Sequence, residues 1–162
     1  MPLGAEASLN LIERARRLLP GLWAGALLCI ALIATPAAFA TLVTQDAGRV
    51  VGRIFAQEAY LSLALGIACL LLERRAAASS EGETRLSMPM MLALGALFCT
   101  VTGYFGLQPM MAVARAGEGS WTFGQLHAVS LGLFGVKTLA VLALAWRAAS
   151  PAGPVSLVGP SS

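Results

Sequence analysis

The sequence predicts an all-α, four-helix transmembrane bundle made of two hairpins. Three observations carry the prediction. Of the 162 residues, 57% are hydrophobic and only 12% charged. The mean hydropathy is +0.76. Long apolar runs alternate with short polar connections, and the first and third exceed, uncharged, the roughly 20 residues that a helix needs to cross a bilayer. A soluble chain of this size carries about twice as many charged residues. The net charge of +3 and pI near 9.1 do not indicate nucleic acid, because the arginines flank apolar runs and form no basic face.

Residues 1–17 read as an N-terminal segment and residues 18–147 as the membrane domain. Leu18 to Gln45 runs 28 residues without a charge and gives the first helix, about 21–43. Ala38-Phe39-Ala40 looks like a cleavage box, but the run is long for a signal peptide and further spans follow, so the helix is read as a retained span. Only 14 uncharged residues separate Glu58 from Glu73. The second helix must therefore begin earlier, about 50–72, and carry Arg53 and Glu58 into the membrane. Glu73 to Arg85 reads as a flexible loop. The third and fourth helices follow at about 88–111 and 123–146. The Pro-, Gly- and Ser-rich tail, 148–162, reads as disordered.

Seven arginines (14, 16, 17, 74, 75, 85 and 147) fall on the side of the termini and three (49, 53 and 115) on the other. This bias predicts cytoplasmic termini in a bacterial inner membrane. Trp23 and Trp146 are then expected at the inner interface and Trp121 at the outer one. Gly21-x-x-x-Gly25 and Gly48-x-x-x-Gly52 read as packing motifs between helices. Cys29, Cys69 and Cys99 each sit in an apolar run and read as buried small hydrophobes rather than a disulfide framework.

Phe55, Gln57, Ser62 and Leu63 recur as Phe123, Gln125, Ser130 and Leu131, offset by 68. The match suggests a duplicated hairpin and sets Glu58 and His127 at nearly one depth. His127 and Lys137 are the only histidine and lysine in the chain, both inside an apolar run. A charge there costs at least ~2.5–3.5 kcal/mol at the bilayer centre and needs a partner. Lys137, about 21 Å along its helix from Phe123, is expected to meet Glu58. His127, Ser130, Phe134 and Lys137 share one helical face, and Arg49, Arg53, Gln57 and Tyr60 share another. Arg49, Arg53, Gln57, Glu58, Gln108, Gln125, His127, Ser130 and Lys137 are therefore the candidates for a polar cleft opening outward.

No GxSxG, HExxH, Walker or GxGxxG motif occurs, so neither an enzyme nor a cofactor is expected. The leading reading is a non-enzymatic small transporter, resistance factor or partner in a membrane complex. It lies in the lipid bilayer, alone, as a homo-oligomer or with another membrane protein. The alternative is a redox protein handling metal or haem with His127 as ligand. Soft ligands for it would be Met110 and Met111, because Met91 lies about 28 Å away along the same helix.

The motifs GLWAG and TPAAF in the first helix, GRVVGRIF entering the second, GYFGLQPMM ending the third and FGQLHAVS opening the fourth carry a resemblance. In this order and spacing they resemble the bacterial membrane proteins of domain of unknown function 4149, the transmembrane protein 205-like proteins, from about Gly21 to Arg147. The resemblance implies a four-helix integral membrane protein and supplies no settled activity. The matching positions are Pro36, Phe39, Arg49, Gly52, Arg53, Phe55, Pro109, His127 and Ser130. Glu58 and Lys137 belong to the pattern less clearly.

Overall fold

The computed structural model describes residues 3–78 and 86–150, with side chains from residue 11 onward in the first of these. Most of the loop expected between the second and third helices, 79–85, and the tail 151–162 lie outside the described residues. Four helices form the fold. α1 joins Leu3–Cys29, a π-turn Ile30–Ala34 and Thr35–Thr41; α2 is Thr44–Ala78. α3 joins Met88–Thr100, a π-turn Val101–Gly106 and Leu107–Arg115; α4 is Phe123–Ala149. Every regular element among the described residues is helical, and all four helices are long and apolar enough to cross a membrane.

Local chemistry sets the breaks. Pro36 and Pro109 lack the N–H that would close an ordinary turn. Ahead of each, the helix widens, and the Thr35 and Leu107 N–H groups reach the Ile30 and Thr102 carbonyls five residues back. Such local adjustment keeps backbone groups paired where water is scarce. Gly117 and Gly119, at φ +79° and +92°, make the turn after α3 that residues with a Cβ adopt poorly. Thr122 and Gln125 then form a reciprocal capping box that starts α4.

α2 starts at Thr44 and ends at Ala78. Glu73 to Ala78, expected in a loop, continue the helix: Glu, Arg and Ala are strong helix formers, and Glu73 is also held by Arg16 of α1. The Arg16 Nε and Nη2 groups donate to the two Glu73 carboxylate oxygens, each at 3.0 Å.

The helices pack as a ring in chain order, α1 against α2 and α4, and α3 against α2 and α4. α2 and α4 thus stand diagonally across the interior. The core toward the termini is dry: Trp23 and Leu27 of α1 meet Cys69, Ala93, Ala96 and Val141. Trp23 is fully buried, so it is a core residue rather than an interfacial one. Its indole shape fills the space left by Gly66, where an added Cβ would fall 2.6 Å from Leu97 Cδ2 and 3.2 Å from Trp23.

The expected GxxxG contacts do not form within the chain. Gly21, Gly25, Gly48 and Gly52 have no atom within 4 Å of where a Cβ would stand, because these faces point out of the bundle. Close approach is instead provided by buried Ala93, Ala96, Thr100 and Gly103 on the inward face of α3. Cys69 and Cys99 are buried as expected, whereas Cys29 is exposed.

Candidate functional site

At the centre of the ring lies a polar network enclosed by apolar helices. Glu58 is 14 residues past Thr44, and Lys137 is 14 residues past Phe123, so each lies about 21 Å along its helix. The Lys137 Nζ donates to Glu58 Oε1 at 2.7 Å and to Oε2 at 2.8 Å. Each residue is only 4% exposed. The pair therefore links diagonal helices through side chains that reach across the interior.

The network extends to a third helix. Ser62, one turn beyond Glu58, donates its hydroxyl to Glu58 Oε1 and accepts the Trp23 indole N–H at 2.9 Å. Trp23 thereby satisfies a buried donor that would otherwise be costly. The Lys137 ammonium also lies 4.9 Å from the centre of the Phe134 ring. Phe134 meets Phe55 of α2 edge-to-face at 5.2 Å, a second diagonal link just beyond the pair. Chemically, the site holds an acid, a base and a hydroxyl in direct contact, with a rigid indole anchoring one end. A proton passing from Lys137 to Glu58 would neutralise both groups and weaken the latch between α2 and α4.

The structure brings Glu58 and Lys137 together and leaves the other candidates apart. Arg49, Arg53 and Gln57 are exposed on α2, facing away from Glu58. Tyr60, on the same outward face, packs against Tyr104 and Phe105 of α3. Arg49 is paired with Asp46 three residues before it. Gln125 is exposed and occupied in the cap of α4. Gln108 is partly buried in the last segment of α3. His127 is exposed and stacks on Phe123 at 5.7 Å, with the Arg115 guanidinium 4.6 Å over the same ring. Ser130 is partly buried between His127 and Lys137.

The expected equal depth of Glu58 and His127 is overturned. Glu58 meets Lys137, ten residues or about 15 Å farther along α4 than His127. The misreading comes from the repeat: Phe123 opens α4, whereas Phe55 stands eleven residues inside α2. Met110 is exposed and Met111 buried. Among the described residues, no three His, Cys, Asp or Glu side chains gather as a metal site would need.

Sequence reasoning missed Trp23 and Ser62. Their signals were present: a tryptophan in an uncharged run needs a partner for its N–H, and Ser62 follows Glu58 by one helical turn.

The family model described as Domain of unknown function (DUF4149) matches residues 18–120. That stretch covers most of the first span, the second and third spans, both π-turns and Trp23, Glu58 and Ser62. No curated protein and no solved structure matches the chain.

Proposed function

The chain belongs to the DUF4149 family, an integral membrane protein of multi-pass type, and from that premise we propose that it is a non-enzymatic small transporter whose Glu58–Lys137 latch couples movement to a proton. One observation carries the reading: a hydrogen-bonded charge pair, almost sealed from solvent, joins diagonal helices near the midpoint of their spans. Stability alone gives little reason for such a pair. Desolvation cancels much of its attraction, and a well-packed apolar pair would hold the helices at least as well. Ionisable groups at this depth typically serve proton or ion movement.

The entry route runs along one face of α4. His127 is exposed, Ser130 and Phe134 are partly buried, and Lys137 is buried. The arginine bias sets His127 at the outer side and both termini in the cytoplasm of a bacterial inner membrane. Arg49, Arg53 and Gln57 face away from this route on α2, and Gln125 is taken up by the cap of α4. A proton arriving by this face protonates Glu58, frees Lys137, and lets α2 part from α4. The moving unit is one chain, a homo-oligomer or a complex with another membrane protein.

The test is proton flux in liposomes under an imposed potential, read with an internal pH dye. The native protein collapses the gradient faster than protein-free vesicles. The folded double variant Glu58→Gln/Lys137→Met loses the excess flux. Equal flux in the native and double-variant proteins would sink the proposal.

A further inference from the structure

A second site lies at the opposite end of the bundle from His127. There a cleft of about 560 Å³ opens between the first half of α1, the last turns of α2 and α4 and Pro89 at the start of α3, within the size range of small-ligand sites. Its floor is apolar, made by Pro20, Leu72 and Leu144. Its rim carries Arg16, Arg17 and Arg147, with Trp146 beside them.

The three arginines differ in what holds them. Arg16 is spent on structure, forked onto Glu73 and bonded to Glu13 at 3.1 Å. Among the described residues, Arg17 reaches Glu13 through its Nε, at 3.0 Å, and its terminal nitrogens, on a side chain 63% exposed, meet no carboxylate. Arg147 has no carboxylate partner among the described residues. Among the described residues, the two acidic residues of the rim are thus engaged by Arg16 and Arg17, while Arg147 and the fork of Arg17 are left to an anion. Trp146 is 79% exposed at the end of an apolar span, the position of an interfacial anchor.

We infer that this cleft seats one anionic phospholipid, its phosphate at Arg17 and Arg147 and the upper part of an acyl chain on the Pro20–Leu144 floor. The depth is right for a headgroup, since the cleft lies where the spans end. The amphipathic lining distinguishes a lipid from a free anion, which gains nothing from an apolar floor. Basic pockets between spans characteristically recognise such headgroups. This inference requires neither the proton-coupled reading nor a choice of membrane orientation, and its readout is a lipid count rather than transport.

The experiment places the full chain in nanodiscs of phosphatidylcholine and phosphatidylglycerol with matched acyl chains, then counts retained lipids by native mass spectrometry. The native chain keeps one phosphatidylglycerol in preference to phosphatidylcholine. Arg17→Gln and Arg147→Gln each weaken retention about fivefold, and together about twenty-five-fold. Arg49→Gln, at the far end, leaves it unchanged. Added inorganic phosphate does not displace the lipid. Equal retention of the two lipids, an undiminished count in the double variant, or an equal loss in Arg49→Gln would overturn the inference. Displacement by phosphate would also overturn it, by assigning the arginines to a free anion.

Discussion

Replacing Lys137 by Met tests the central network most sharply. The substitution keeps the stem's bulk and removes the ammonium. Glu58 then loses hydrogen bonds of 2.7 and 2.8 Å and keeps only the Ser62 hydroxyl. At 4% exposure, water cannot replace the loss unless the bundle opens. Breaking a buried pair from one side costs about 3–5 kcal/mol, because the remaining charge is uncompensated. For a chain of this length that corresponds to a fall in Tm of roughly 6–20 °C. Neutralising both partners, as Glu58→Gln/Lys137→Met, removes the stranded charge and restores Tm to near or above the native value. Buried Cys69 and Cys99 supply the assay: a thiol-reactive dye labels them as the detergent-solubilised protein unfolds. Exposed Cys29 is replaced by Ser in every variant to remove the background. A single variant melting within about 2 °C of the parent would show that the pair contributes little, and the reasoning from burial would be wrong.

Three further outcomes follow from the same geometry. Trp23→Phe keeps an aromatic ring but removes the donor to Ser62, and costs about 1–3 kcal/mol in the dye assay; in Ser62→Ala the further cost of Trp23→Phe falls by at least half, since the bond is already gone. Gly66→Ala drives a methyl into Leu97 and toward Trp23, and lowers stability by about 1–3 kcal/mol, whereas Gly25→Ala, with open space around it inside a helix, costs nothing and gains about 0.5–1 kcal/mol. His127→Ala leaves the visible absorption spectrum and metal content of purified protein the same as in the native chain, both without a haem band or stoichiometric metal; a band or metal lost in the variant would establish His127 as a ligand.

Much of the architecture was legible because the membrane imposes a simple rule. Leu18 to Gln45 and Leu86 to Ala114 are uncharged over lengths that span a bilayer, and the structure places apolar helices there. Lys137 was legible for the opposite reason, since a lone ammonium in an apolar run demands a carboxylate, and Glu58 was the one acidic residue carried into a span. Helix ends were harder to read. Glu73 looked like the start of a loop because charge marks the edge of lipid, not the edge of a helix, and its bond to Arg16 of α1 is a tertiary contact that no local pattern announces. The inward faces were also partly hidden. Between lipid-facing and core-facing sides of these helices hydropathy differs little, so the outward glycine pairs of α1 and α2 read as contacts while the alanine face of α3 did not stand out. Trp23 illustrates the same limit: a tryptophan near a span's end fits an interface, and only the partner Ser62 on α2 explains its burial.

The most direct test of the latch is whether Glu58 takes up a proton while the bundle stays folded. Infrared difference spectroscopy on reconstituted protein, stepped from neutral to acidic pH, reads the carboxyl C=O stretch. A protonated-carboxyl band that appears in the native protein and is missing in the Glu58→Gln/Lys137→Met double variant is the predicted result. A native protein with no such Glu58 band at any pH where it remains folded would contradict the proton-coupled account and leave the pair a purely structural tie between α2 and α4.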